Sequence, residues 1–352
     1  MALPTCDIVI PTYNRARLLP ECVASVLDSG LPFGTIFVVD DGSTDDTAEV
    51  ARRLGPDVTY LRQRQLGLSA ARNAGVARST AKYVLLLDDD DRLLPGAGTR
   101  MLAFAGKHAE VAAVFADVLR GSSVHDESSY HARWDFRYLE HYPASRHADG
   151  FRIFHPPHLA HTFTLGMTCF VPSSTILRRD ALAAVGGFDE ELRCGEDHDM
   201  WIRLLEKFPV GYFAHPAARW IMTPGSLSVH LANMRASELQ TLQKLVGGNY
   251  GTGLRRTAAM RLIACAFENG AYTEVRRWLG DFMRLGGQPT WALLYGVASL
   301  LQIRWAHPGM RTVCYLLEWL SGSRPWRTLC REGSWFYRCC AMVERRSGRA
   351  GL

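Results

Sequence analysis

Over its first 120 residues the chain alternates short apolar strands with amphipathic helical stretches, and few architectures accept that alternation. CDIVI (6–10), TIFVV (35–39), VTYL (58–61), YVLLL (83–87) and VAAVFADV (111–118) are apolar and partly β-branched. Helical patterns separate them at 17–29, 45–54, 68–77 and about 95–107, with Ser43 or Asp45 as the expected N-cap of the second. Near-continuous apolar strands of this kind belong to a parallel sheet covered by helices on both faces. The predicted class is α/β, a Rossmann-like sheet flanked by helices.

In such sheets ligands bind beyond the carboxyl ends of the strands. PTYN (11–14) follows the first strand, DDGSTD (40–45) the second, and DDDD (88–91) the fourth. All three polar clusters are therefore predicted to share one edge. Four consecutive carboxylates repel one another and are costly to bury. A divalent cation offsets that repulsion, and Mg²⁺ or Mn²⁺ combines carboxylate oxygens with substrate phosphates. Asp88 and Asp90, two apart, are the expected co-facing pair. A helix cap plus solvated acids is the plainer alternative, since Asp91 precedes a helical stretch.

Two further groups belong with these acids. A carboxylate at Asp40–Asp41 can accept the N3–H of uracil, and GLSAARNAG (67–75) places Arg72 on the helix leading into the fourth strand. Arg72 suits a base carbonyl or a phosphate, or a salt bridge to a nearby aspartate. In GEDHDMW (195–201), Glu196 and Asp197 open a helical pattern and can supply a general base, or simply an acidic first turn. Residues 122–161 carry seven of the 12 histidines and read as a long loop over the site. Its HPPHLAH stretch is a weak zinc candidate, because no cysteine is near and two prolines oppose a ligand-bearing helix. Regular structure is expected again at 167–171, at 179–185 and at 195–208.

Composition excludes several classes. The longest apolar run, WALLYGVASLLQI (291–303), is too short to span a bilayer. MALPTCDIVIP reads as a first strand without a leader, and nine cysteines without CxxC spacing read as reduced thiols of a cytoplasmic chain. Residues 1–230 carry a net charge of −5 and residues 231–352 one of +10, which divides the chain into two parts. The rear part is predicted to be all-α, with helices at 255–270 and 272–287. Arg and Trp interleave over 324–349, as suits either an anionic membrane surface or a packed helical extension. No nucleic-acid-binding module accompanies them, so nucleic acid is not an expected partner.

The motifs PTYN, VVDDGSTD, Gly-x-Ser-x-Ala-Arg-Asn-x-Gly, LLLDDDD, GGFDE and GEDHDMWIRL occur in one order over residues 5–230. In that order and spacing the chain resembles the family 2 inverting glycosyltransferases of the GT-A fold. The resemblance implies a GT-A type mixed sheet in a catalytic domain at 1–230, with a nucleotide-sugar half at about 1–120, an acceptor half at about 121–230 and a basic helical extension at 231–352. It implies a UDP-sugar donor, a saccharide or lipid-linked acceptor, and Mn²⁺ or Mg²⁺ held through a DxD motif. Pro11, Tyr13, Asn14, Asp41, Arg72, Asp88 and Asp89 would line the nucleotide-sugar site, with Asp41 reading uracil and Asp88 near the ribose. Asp90 would bind the metal, and Asp197, with Glu196 beside it, would deprotonate the acceptor.

Thr223 stands where many relatives carry a histidine that completes the metal site, and His230 is the expected substitute. The Gln-x-x-Arg-Trp motif of processive synthases is absent, with Pro216 in place of its glutamine, which favours single-sugar transfer. The thiols point to the cytoplasm and the Arg/Trp segment to a peripheral place on the inner face of a membrane, while the resemblance implies cell-surface glycan or glycoconjugate biosynthesis. Two rivals remain open. A sugar-nucleotide nucleotidyltransferase would show a Gly-rich loop where this chain has PTYNRARLL, and an inactive GT-A-like scaffold would show no turnover.

Overall fold

A computed structural model of the chain describes residues 4–121, 128–129, 139, 144–147, 149–164, 170–221, 223, 231–269 and 271–288. Strands β1 (Cys6–Thr12), β2 (Phe33–Asp40), β3 (Val58–Arg62) and β4 (Tyr83–Leu86) run parallel in the order β3-β2-β1-β4. They are joined in sequence by α1 (Leu19–Asp28), α2 (Thr47–Arg52) and α3 (Leu68–Arg78). Every residue of β1 is buried, as its apolar run requires of a strand covered on both faces. Gly75 lets α3 lie close on the sheet, because a Cβ there would collide with Val9 and Val39.

The sheet continues beyond β4 through a second set of elements. These are β5 (Arg92–Leu93), α4 (Ala97–Lys107), β6 (Ala113–Gly121), β7 (Ser128–Ser129), β8 (Ala144–Arg146), β9 (Phe151–Phe154), α5 (His158–Thr164), β10 (Thr175–Arg178), α6 (Arg179–Ala184), α7 (Glu196–Lys207) and β11 (Val210–Ile221). The order across the sheet runs on as β4-β10-β6-β11-β9-β8, with β5 on β11 and β7 on β6. β10 is antiparallel to both β4 and β6, and β6 and β11 are parallel. The sheet is therefore mixed, as the GT-A resemblance implies, with its first four strands all parallel.

Several expectations change here. Residues 122–161 are not one loop: β9 joins the sheet against β11, and α5 begins directly after Pro156 and Pro157. Prolines ahead of a helix are compatible with it, since the first turn has no acceptor for their missing N–H. No grouping of three or more His, Cys, Asp or Glu suited to a metal occurs among the described residues. Of the strand expected at 167–171, Phe170 and Val171 are irregular, 167–169 lie outside the described residues, and the strand that forms is β10. Neither Ser43 nor Asp45 is the N-cap of α2, which is Asp46, although Asp45 Oδ1 accepts the Thr47 amide at 3.0 Å.

One buried carboxylate fastens the first half. Asp7 accepts from the Thr35 amide (2.9 Å), the Ser79 hydroxyl (2.7 Å), the Thr80 amide (3.3 Å) and the Ala81 amide (3.2 Å). It thereby ties β1 to the start of β2 and to the end of α3.

The described residues up to Thr241, apart from Leu139, form one compact unit, and those from Leu242 onward belong to a second. Helix α8 (Leu231–Gly247) leads into the second unit, where α9 (Thr252–Glu268) packs on α10 (Tyr272–Arg284) through buried Leu262, Val275, Trp278 and Phe282. Among the described residues no helix is long and apolar enough to cross a membrane. The apolar run at 291–303, the basic segment 324–349 and His230 lie outside the described residues.

Candidate functional site

Parallel pairing brings the carboxyl ends of β1, β2 and β4 side by side. Asp40 on β2 pairs with Thr12 on β1, and the Thr12 hydroxyl donates to Asp89 Oδ2 at 2.7 Å. The three polar clusters do share one edge.

The loop after β1 is held to the loop after β2. Asn14 takes the left-handed conformation (φ 52°), its amide donates to the Ser43 hydroxyl at 2.8 Å, and its side-chain oxygen accepts the Thr44 amide at 2.7 Å. The Ala16 amide reaches Asp45 Oδ2 at 3.1 Å. Pro11 is buried in β1, while Tyr13 is 39 % exposed at the rim. Asp41 accepts from the Gln63 side chain (2.7 Å), the Leu66 amide (2.8 Å) and the Gly67 amide (2.8 Å), which sets the entry to α3. A carboxylate has about four acceptor positions, so Asp41 has one to spare among the described residues.

The aspartate run does not project as an alternating strand. β4 ends at Leu86, and the Asp91 amide bonds to the Asp88 carbonyl at 2.9 Å, closing a turn. The carboxylates therefore divide among several elements, and it is Asp89 and Asp90, rather than the expected Asp88 and Asp90, that share a partner. Asp88 pairs with Arg72 at 2.7 Å, and its side chain is 30 % exposed. Asp89 and Asp90 share the Nη1 of Arg15, at 2.9 Å each. Asp90 Oδ2 also accepts the Thr223 hydroxyl at 2.7 Å. Asp91 is no helix cap: it accepts from Ser173 (2.5 Å) and from the Ile221 amide (3.1 Å) at the end of β11.

Burial pushes the Asp89 carboxyl up to about 6, against the pull of Arg15 and Thr12. Burial, reinforced by Asp88 and Asp90, pushes Asp91 well above the usual carboxylate range. The repulsion within the run is thus offset by two arginines and four hydroxyl or amide donors.

Arg72 lies on α3 and is 1 % exposed. Its Nη1 meets Glu196 at 2.5 Å, its Nη2 meets Asp88, and its guanidinium lies 5.4 Å from the Phe188 ring centroid. The salt bridge foreseen for Arg72 is what the structure contains, and Glu196 is its second partner. Beside it, Asn73 accepts the Phe188 amide and donates to the Phe188 carbonyl, both at 2.9 Å, locking the GGFDE turn to α3. Asp197, next in the first turn of α7, accepts the His198 amide at 2.7 Å through Oδ1, its one side-chain hydrogen bond among the described residues. Burial raises its pKa, against the pull of Arg72.

Arg15, Thr12 and Ser173 are site-edge residues not singled out in the sequence. Arg15 and Thr12 had a signal, since Thr12 lies within PTYN and Arg15 follows it directly; Ser173 is an ordinary hydroxyl with none. A hard cation fits this donor set in one way. Asp90 Oδ1 has no hydrogen-bond partner among the described residues, and Mg²⁺ or Mn²⁺ is commonly held by one or two carboxylates plus substrate phosphates.

Comparison with known proteins identifies the family and the fold. The family model "Glycosyl transferase family 2" matches residues 7–186. An uncharacterized glycosyltransferase of Rickettsia prowazekii is 28 % identical over 215 residues, covering 60 % of this chain and 62 % of that protein. The chain spans less than two thirds of the length of the curated relatives it matches first. Among solved structures, residues 1–349 of S. aureus TarS in complex with UDP-GlcNAc superpose with a TM-score of 0.58 at 14 % identity, over 84 % of this chain and 89 % of that one. The mannosyltransferase PcManGT from Pyrobaculum calidifontis, in complex with GDP-Man and Mn²⁺, gives 0.51 at 18 % identity, over 93 % and 83 %. With a family model covering just over half its length and GT-A glycosyltransferases as its structural neighbours, the chain belongs to glycosyl transferase family 2 and has the GT-A fold.

Proposed function

We propose that this chain is an inverting, non-processive glycosyltransferase that moves a sugar from a UDP-sugar to an acceptor hydroxyl in glycan or glycoconjugate synthesis. The observation that carries the reading is the division of labour among the acids. Asp88, Asp90 and Asp197 each keep a carboxylate oxygen without a partner among the described residues, whereas Asp91 is committed to Ser173 and Ile221. Residues 1–230 form the proposed catalytic domain, with the donor in the 1–120 half and the acceptor in the 121–230 half.

In this reading Asp41 accepts the uracil N3–H with its remaining acceptor position, Tyr13 covers the base, and Asp88 accepts a ribose hydroxyl. Pro11, Asn14 and Asp89 shape the same pocket, Asn14 by fixing the loop that carries Tyr13. Asp90 Oδ1 is the proposed protein ligand for Mn²⁺ or Mg²⁺. Such an ion, when bound, would neutralise the charge that develops on the leaving diphosphate.

Asp197 takes the proton from the acceptor hydroxyl. The acceptor oxygen bonds to the anomeric carbon from the side opposite the diphosphate, the C1–O bond to phosphate breaks, and UDP leaves with that electron pair. Glu196 acts through Arg72, holding the guanidinium that also orients Asp88. The acceptor is a saccharide or lipid-linked hydroxyl, presented on the cytoplasmic side of a membrane.

The test is turnover. Wild type and Asp197→Asn would be given a panel of UDP-sugars with a glycolipid acceptor fraction, and UDP release would be followed. Transfer by the wild type, with loss in the variant at unchanged donor affinity, is expected. Equal rates would remove Asp197 as the base, and absence of any transfer by the wild type would favour an inactive scaffold.

A further inference from the structure

Arg15 has no role in the proposed chemistry so far, yet it sits against the residue proposed to face the metal. Its Nη1 donates to both Asp89 Oδ1 and Asp90 Oδ2 at 2.9 Å. The rest of the guanidinium is uncommitted: Nε and Nη2 make no hydrogen bond among the described residues, and the side chain is 28 % exposed. Arg72, by contrast, spends both Nη groups on carboxylates and is 1 % exposed. Two arginines serve the acidic run, and one keeps donors open to a ligand.

The backbone that carries Arg15 is prepared for this. On one side the Asn14 amide and side chain are bonded to Ser43 and Thr44, and on the other the Ala16 amide is bonded to Asp45. The side chain is anchored at its tip by two carboxylates on a separate loop. A guanidinium fixed at both ends, with Nε and Nη2 uncommitted among the described residues, suits an anion that offers paired oxygens, which a phosphate group provides.

We infer that Arg15 is a diphosphate-binding residue of the donor site, its Nη1 held by Asp89 and Asp90 while Nε and Nη2 take phosphate oxygens of the nucleoside diphosphate. The inference rests on the proposed nucleotide-sugar site and adds to it a second cation, intrinsic to the chain. Thr223 supports the arrangement. Its hydroxyl donates to the same Asp90 oxygen as Arg15, so both occupy Oδ2 and leave Oδ1 to a metal ion. Where a relative's histidine would add a ligand to the ion, this chain adds a hydrogen bond to the carboxylate, and Arg15 supplies positive charge to the diphosphate directly.

Isothermal titration of full-length protein tests this with UDP and uridine, each with EDTA and with Mn²⁺, on wild type, Arg15→Gln and Arg15→Lys. The wild type is expected to bind UDP measurably in EDTA. Arg15→Gln should weaken UDP about 10- to 150-fold, the range for a lost charge-assisted hydrogen bond, and leave uridine within about twofold. Arg15→Lys, which keeps the charge and loses the fork, should fall between. A merely structural Arg15 would instead weaken UDP and uridine alike, and that result would overturn the inference. So would Arg15→Gln binding UDP as the wild type does. Failure of the wild type to bind UDP under either condition would instead overturn the nucleotide-sugar reading itself.

Discussion

Asp197 and Asp91 are both carboxylates with raised pKa, and their surroundings give them opposite fates. Asp91 has Ser173 and Ile221 on its oxygens and no exposed surface to speak of, so it is a fastening. Asp197 has its neighbour's amide alone among the described residues, and burial lifts its pKa without filling its second oxygen. The proposed base must be ionised to work, so the raised pKa would move the acid limb of kcat/KM above the ordinary aspartate value of about 3.9. Activity should fall on acidification from neutral pH through that raised value, and return as pH is restored. Asp197→Asn should lower kcat by about 10² to 10⁴ with the melting temperature unchanged or higher. The sign follows from linkage: a carboxyl whose folded pKa exceeds its unfolded value binds its proton more tightly when folded, so its ionisation costs stability as pH rises. A pH–rate profile with parallel melting curves checks both. At this scale the acids were legible as acids, but their wiring was not. Asp90 meets Arg15 and Thr223 from 75 and 133 positions away, and no local pattern encodes such pairings.

Elements were legible where their period was clean. The first four strands and α1, α3 and α4 fall within a few residues of where apolar runs and helical spacing put them. β11 was missed because it carries Pro216 in mid-strand, and proline cannot donate to a ladder. The strand accommodates it with register shifts on both sides of Pro216 in its pairing with β6. β8 and β9 are three and four residues long in a stretch rich in His, Arg and Pro, too short for an alternating pattern to stand out. Two element-level junctions make testable predictions. Asp7→Ala should destabilise by about 3 kcal/mol, because it strands the buried Ser79 hydroxyl and the amides of Thr35, Thr80 and Ala81 at one partly buried junction. Gly75→Ala should cost about 1–3 kcal/mol through collision with Val9 and Val39. Denaturant melts with unchanged slope would confirm both as losses of stability, and no shift in midpoint would contradict the packing described.

At the scale of the whole molecule, the aspartate run works as a hub rather than a cluster. Through one turn it reaches β1 by Thr12, the first loop by Arg15, α3 by Arg72, the segment before β10 by Ser173, and β11 by Ile221. The two proposed halves of the catalytic domain are joined there. The basic rear half follows a separate logic. If residues 324–349 contact an anionic bilayer, full-length protein should float with anionic liposomes and a chain ending at Gly322 should float less; equal flotation would assign the segment to packing. The central proposal is a nucleotide-diphosphate site with Asp90 facing a divalent cation. Its most direct measurement is a thermal-shift titration with UDP, GDP, dTDP and CDP, each with and without Mn²⁺, on wild type and Asp90→Ala. A site of this kind predicts the largest stabilisation from UDP, enhanced by Mn²⁺, with the enhancement lost in Asp90→Ala. No stabilisation by any nucleotide, or a Mn²⁺ effect that survives in Asp90→Ala, would contradict it.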